Sequence, residues 1–182
     1  MKRTAVLFAE GLEEVEALTV VDLLRRAQIA CDIVALADAD RITGSHGITV
    51  LADSCFSKTD FDLYDGVILP GGMPGTRYLA EDERVSDLLR RFHKAGKLTA
   101  AICAGPTVLS KAGLLDGRRA VCYPGMEAQL NGALVSEDPV AEDGSIITGR
   151  GVGTAIPFAL ALVRYLDSAE RAEALAKAIV FA

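Results

Sequence analysis

Short, wholly apolar runs alternate along the chain with longer stretches whose apolar positions recur at helical spacing. Thr4 to Phe8, Cys31 to Leu36, Gly66 to Leu69 and Leu98 to Ile102 read as strands, as do runs near Ala120 to Tyr123 and at Ser145 to Thr148. Glu14 to Ala27, Val85 to Ala95, Pro106 to Ala112, Thr154 to Leu166 and Ala169 to Ala178 read as helices. A strand apolar on both faces is one covered on both faces, as in a parallel sheet buried between helices. Strand–helix alternation of this kind predicts right-handed crossovers and a doubly wound α/β sandwich. Two segments break the rhythm. Ile42 to Ala52 and Val135 to Ile147 alternate apolar and polar positions and carry turn residues, Ser45-His46-Gly47 and Glu142-Asp143-Gly144, which predicts hairpin excursions.

With 182 residues and no linker, repeat or low-complexity segment, residues 1–182 are expected to form a single domain. A composition of 51% hydrophobic and 24% charged residues excludes a disordered chain. The net charge of −6, the absence of tryptophan and 5% aromatic content argue against nucleic acid or an anionic membrane as partner. The apolar runs at Ala5 to Ala9 and Phe158 to Val163 are too short for a signal core or a membrane span, so a cytoplasmic protein is expected. Cys31, Cys55, Cys103 and Cys122 form no CxxC, and only His46 and His93 are available as imidazoles. A disulfide framework, a metal site and a cofactor are therefore not expected. Gly149-Arg150-Gly151-Val152-Gly153-Thr154 has the glycines of a dinucleotide loop, yet Thr154 stands where its third glycine belongs. A glycine turn with Thr154 capping the next helix is the better reading.

Ligands of wound α/β sheets lie at the carboxyl ends of the strands, which directs attention to the residues just beyond them. Leu98 to Ile102 runs straight into Cys103, and Ala104-Gly105-Pro106 opens a helix. Small residues flanking a nucleophile permit the sharp strand-to-helix turn that lifts it out of a sheet, and a helix N-terminus favours thiolate. Cys31 and Cys122 fall in strand-like runs and Cys55 in a loop, all read as structural, although Cys122 closes a strand and could end near the site. Glu16 shares one helix stripe with Val20, Leu23 and Ala27, so its carboxyl group lies on an apolar face. Desolvation there raises a carboxyl pKa and makes a proton donor near neutrality. Glu13 and Glu14 read as ordinary first-turn carboxylates. Gly71 and Gly72 after Leu69-Pro70 allow close backbone approach, as an oxyanion site requires, although a plain turn would look the same. His93 sits near a helix C-terminus and His46 on a hairpin turn. Neither is placed as the base of a Cys-His pair, which disfavours triad hydrolysis.

Glu14-x-Glu16, Leu69-Pro70-Gly71-Gly72, Ala100 to Pro106 and Gly149-Arg150-Gly151-x-Gly153-Thr154, in that order, resemble the DJ-1 branch (the ThiJ and YajL relatives) of the DJ-1/PfpI superfamily. The resemblance runs from about residue 4 to 178. It implies a flavodoxin-like three-layer α/β/α sandwich with a mostly parallel central sheet, and a homodimer with the active cysteine near the interface. The first helix agrees with a dimer, because Val15, Ala17, Leu18, Val20, Val21, Leu23, Leu24 and Ala27 exceed one buried stripe. By resemblance Cys103 is the oxidisable nucleophile and Glu16 the acid beside its sulfur, while the amides of Gly72 and Ala104 hold an oxyanion. Gly71, Met73, Tyr123, Gly151 and His46 line the site by the same reasoning. Ala104 stands where the protease branch has histidine, which argues against proteolysis. Tyr123 replaces a histidine of several relatives, His46 a frequent arginine and Met73 a polar residue. The implied activity is a cysteine-dependent, glutathione-independent glyoxalase or deglycase acting on a small carbonyl substrate of the methylglyoxal type. A redox sensor or chaperone working through Cys103 sulfinic acid uses the same residues, and a flavodoxin-like binding module would use none of them.

Overall fold

The computed structural model describes residues 2–181. The chain forms β1 (Arg3–Phe8), α1 (Glu14–Arg26), β2 (Ala30–Ala35), the hairpin β3 (Arg41–Thr43) and β4 (Thr49–Leu51), and β5 (Ser54–Cys55). It continues with β6 (Gly66–Leu69), α2 (Gly75–Glu81), α3 (Glu83–Lys94), β7 (Leu98–Ile102), α4 (Pro106–Lys111), β8 (Arg119–Ala120) and β9 (Leu134–Val135). β10 (Val140–Asp143), β11 (Ile146–Gly149), α5 (Ala155–Leu166) and α6 (Ala169–Ala178) complete it. Seven strands form the central sheet in the order β10-β11-β7-β6-β1-β2-β5. Every pairing is parallel except β10 on β11 at the edge.

Alternation along the strands divides the interior in two. Val6 and Phe8 of β1, Ile33 of β2, and Ala100 and Ile102 of β7 face α1, α5 and α6. Ala5 and Leu7, Val34 and Ala101 face the layer of α2, α3 and α4. Burial on both faces is why these strands carry no polar alternation, and the result is the expected flavodoxin-like three-layer sandwich. Both β2 and β6 flank β1, so the winding direction reverses beside β1. A crevice opens at such a switch point, at the carboxyl ends of the flanking strands.

Several local expectations are corrected. The strand expected over Ala120 to Tyr123 is only Arg119–Ala120, paired with β9 outside the main sheet. Beyond it Val121 N–H bonds the Thr148 hydroxyl and Tyr123 N–H the Cys103 carbonyl, so single anchors replace a ladder and Cys122 closes no strand. The hairpin β10–β11 is no excursion, because β11 pairs with β7 and extends the main sheet. By contrast β3–β4 does stand apart as its own two-stranded sheet. Cys55 lies in β5 rather than a loop, and α2 follows Pro74 with too few apolar positions to announce a helix. The fold itself buries Ala17, Val20, Val21, Leu23 and Leu24 of α1 and Ala27 just past its end, which leaves Val15 exposed and Leu18 partly so. All four cysteines are free and buried. No helix among the described residues is long and apolar enough to cross a membrane.

Phe158 of α5 is fully buried against the sheet. Phe158→Ala is expected to cost about 3–5 kcal/mol in urea unfolding, while Leu63→Ala, at 62% exposure, changes stability by less than about 0.5 kcal/mol. Equal effects of the two would contradict this account of the core.

Candidate active site

Cys103 leaves the end of β7 with φ of +63°, in the left-handed region that a side chain with a Cβ rarely occupies. A residue held there costs about 1–3 kcal/mol and persists only where its surroundings fix it. They do so here. Cys103 N–H donates to the Gly149 carbonyl at 2.9 Å, and its own carbonyl accepts from Tyr123 N–H at 2.8 Å. Gly105 N–H closes the turn onto the Ile102 carbonyl, and Pro106 starts α4 where a missing N–H is harmless. A Cβ on Gly105 would lie 2.8 Å from the Leu69 carbonyl oxygen, so the elbow also needs glycine there.

Glu16 lies in the first turn of α1 and is fully buried. Its Oε2 accepts Gly71 N–H at 2.9 Å, and its Oε1 makes no hydrogen bond within the described residues. Gly71 fills the gap between the two side chains. A Cβ at that position would sit 2.6 Å from both Glu16 Oε2 and Cys103 Cβ. Gly72, with φ of +88°, presses against the backbone of Leu12 and Glu13, where a Cβ would lie 2.2 Å from Glu13 N. Thus the ends of β1, β6 and β7 deliver Glu16, Gly71–Gly72 and Cys103 to one point.

Burial pushes the Glu16 carboxyl up to about 7, against the opposing pull of the Cys103 thiol and Gly71 N–H. Burial and the facing Glu16 carboxylate together push the Cys103 thiol up to about 12, although the amides of Ala104 and Gly72 draw it down. The thiolate expected from the helix dipole alone is therefore outweighed, because α4 is only six residues long and the sulfur is desolvated beside a carboxylate. Near neutrality the thiol therefore keeps its proton, and Glu16 is the partner that is present in both protonated and ionised forms.

Other candidate residues lie elsewhere. His46 sits on the β3–β4 turn and binds Glu14 rather than the cysteine. Its backbone N–H reaches Glu14 Oε1 at 2.7 Å and its Nδ1 lies 2.8 Å from Oε2. Glu14 is thus no ordinary first-turn carboxylate but buried, at 3% exposure. Burial alone would raise it, but the His46 ring and backbone hold its carboxyl at about 2. The stripe test that singled out Glu16 finds Glu14 too, since Ala17, Val21 and Leu24 share its face and are buried. Glu13, Glu14 and His46 place one donor atom each within 4.8 Å of one another. Glu13 already accepts Glu16 N–H and Glu14 the His46 donors, so these groups serve as a clamp between α1 and the hairpin. Met73 and Tyr123 are exposed, and the Tyr123 ring lies against Gly151. Thr154 stands at the N-cap position of α5, but its hydroxyl accepts from Arg150 and Gly151 N–H and so braces the glycine turn.

Raising Glu16 from 4.5 to about 7 means that the folded chain binds more protons than the unfolded chain across that interval. The Glu16 contribution to stability should therefore fall by about 3 kcal/mol as pH rises through this window and stay level above it. Urea unfolding of Glu16→Gln against the native chain isolates this contribution. The fall should vanish in the variant, and an identical fall in both proteins would contradict the assignment.

The sequence pattern of the DJ-1/PfpI family matches residues 2–165. Protein dj-1beta of Drosophila melanogaster is 38% identical over 183 residues, covering 100% of this chain and 98% of the fly protein. The glutathione-independent glyoxalase DJR-1.2 of Caenorhabditis elegans is 31% identical, covering 95% of this chain and 92% of the worm protein. Among solved structures, oxidized Toxoplasma gondii DJ-1 superposes with a TM-score of 0.96 at 34% identity, covering 100% of both chains. Overlap along the whole chain in sequence and in fold leaves one conclusion: this chain belongs to the DJ-1/PfpI family.

Proposed function

We propose that this protein is a cysteine-dependent, glutathione-independent glyoxalase acting on 2-oxoaldehydes of the methylglyoxal type, with deglycation of early glycation adducts as the same attack on a masked carbonyl. The observation that carries it is the fully buried Glu16 carboxyl, pushed up to about 7 beside a strained Cys103. The likeness to a worm glutathione-independent glyoxalase supports the same class.

The chemistry follows from Glu16, which near neutrality is ionised in part of the molecules and can act as base toward the thiol. As Cys103 Sγ bonds the aldehyde carbon, its proton passes to Glu16 and on to the aldehyde oxygen, giving a hemithioacetal. The Gly72 and Ala104 amides, which already draw on the sulfur, are placed to steady the developing oxyanion. Glu16 as carboxylate then takes the hydrogen from the former aldehyde carbon and returns a proton to the neighbouring carbon. The former aldehyde carbon is oxidised and its neighbour reduced, leaving a 2-hydroxy thioester. Water hydrolyses this to the 2-hydroxy acid and regenerates the thiol. Neither metal, glutathione nor nicotinamide enters the balance.

A second reading has one observation in its favour. The Ala104 and Gly72 amides, which draw the thiol pKa down, would equally stabilise the oxygens of an oxidised cysteine, and a close structural neighbour is an oxidized DJ-1. Under either reading we take the protein to be a cytoplasmic homodimer, with Val15 and Leu18 of α1 as the apolar surface left for a second copy.

Lactate formation from methylglyoxal decides between the readings. Cys103→Ser should fall to background, and Glu16→Gln should lose about 10²–10⁴-fold in kcat with a smaller change in KM. Native turnover no faster than that of Cys103→Ser would overturn the enzyme reading and leave oxidation of Cys103 in its place.

A further inference from the structure

Two backbone hydrogen bonds hold Cys103 in its strained turn, and their anchors are unequal. Its N–H donates to the carbonyl of Gly149, at the end of β11, at 2.9 Å. That anchor is rigid, because β11 pairs with β7 on one side and with β10 on the other. The second anchor is the Tyr123 N–H, which donates to the Cys103 carbonyl at 2.8 Å. Tyr123 is 52% exposed and stands beyond the end of β8, in a segment that joins no sheet. What fixes that segment therefore fixes one side of the nucleophile's turn.

Val121 and Cys122 are buried and pack the segment against the protein, but apolar contact is non-directional and does not set its position along its own axis. A hydrogen bond does, because it is directional. Val121 N–H donates to the Thr148 hydroxyl at 2.9 Å, two residues before the Tyr123 N–H that holds Cys103. Thr148 is fully buried in β11, opposite Ala101 of β7 and Ala141 of β10. Its backbone is committed to that sheet, so its side chain alone serves the segment. Alternation places the hydroxyl on the face of Ile146, toward the layer that holds Ala101, Ala120 and Cys122. A valine would fill the same space and suit a strand as well, yet offer Val121 N–H no acceptor.

We infer that Thr148 is a positioning residue for the nucleophile: its hydroxyl fixes the 121–123 segment, the segment fixes the Cys103 carbonyl, and the sulfur is thereby kept beside Glu16. Thr148 and Gly149 are consecutive, so one stretch of β11 sets both hydrogen bonds of the strained turn. Without the hydroxyl the Tyr123 anchor drifts, and Cys103 relaxes toward the ordinary φ region, turning its side chain away from Glu16. The inference rests on the roles of Cys103 and Glu16 proposed above and adds the residue that keeps them aligned.

The test sets Thr148→Val, which keeps the shape and removes the acceptor, beside Thr148→Ser, which keeps the acceptor. Leu89→Ala, at a fully buried position of α3 outside the site, controls for lost stability alone. Iodoacetamide labelling mapped by peptide mass reads Cys103 without any need of turnover. In the native chain and Thr148→Ser the rate at Cys103 should step up as pH passes about 7, where Glu16 ionises and can take the thiol proton. In Thr148→Val the step should vanish, leaving only the rise of an ordinary thiol at about 8.5, while the buried Cys122 becomes faster to label. Methylglyoxal turnover in Thr148→Val should fall about 10- to 100-fold in kcat with KM little changed. Leu89→Ala should keep both the step and the native kcat. Native behaviour of Thr148→Val on both counts, or an equal loss in Leu89→Ala, would overturn the inference. A native chain without the step removes the Glu16 role and this inference with it. If no chain turns over methylglyoxal but labelling behaves as stated, the positioning role stands and the proposed reaction falls. Should Thr148→Val not fold, amide hydrogen exchange of the native chain decides. Val121 and Tyr123 should open together with equal protection, and a Tyr123 amide far better protected than that of Val121 would mark an independent anchor and overturn the inference.

Discussion

A buried carboxyl group facing a buried thiol is the interaction on which the rest of this structure depends. Neither group is comfortable alone, since burial disfavours the charged form of each. Brought together they set a protonated thiol beside a carboxyl group that titrates near neutrality, and the fold supplies the means of bringing them together. α1 begins just past β1, the elbow just past β7, and the paired glycines just past β6 fill the space between. The reversal of winding beside β1 is what makes three strand ends converge without a plugging side chain. The strain at Cys103 is part of the same arrangement. Two backbone hydrogen bonds from neighbouring segments hold a conformation that the residue would not choose.

Glu14 and Glu16 make the point that environment, not residue type, sets chemistry. They lie two positions apart on one helix, and both are buried. Glu14 receives two donors from His46 and is held at about 2, an inert anchor for the β3–β4 hairpin. Glu16 receives one amide and faces a thiol, and it is pushed up to about 7. Burial acts upward on both carboxyls. The number of hydrogen-bond donors decides which becomes a fixed anion and which can exchange a proton.

The elements with strong apolar patterns were legible in the sequence, and so was the residue type at each point of the site. β1, β2, β6 and β7 declare themselves because burial on both faces leaves few polar positions in them, such as Thr4, Asp32 and Thr99, and α1 declares Glu16 because a carboxylate on an apolar stripe stands out. Short or singly anchored segments were less readable. β5 and β8 are two residues each, held by tertiary neighbours rather than by their own pattern, and α2 takes its place from packing. The role of Glu14 was hidden by the habit of treating first-turn acids as solvated. The partnership of Tyr123 and Gly149 with Cys103 runs through backbone atoms, which side-chain identity does not report.

The central claim is that Glu16 keeps a proton close to neutrality because it is buried beside Cys103. Difference infrared spectroscopy of the native chain against Glu16→Gln reads the carboxylic acid band of that one group as pH is varied. The account predicts a band that persists and titrates near 7. A Glu16 band that disappears near 4.5, the ordinary value for the side chain, would contradict it.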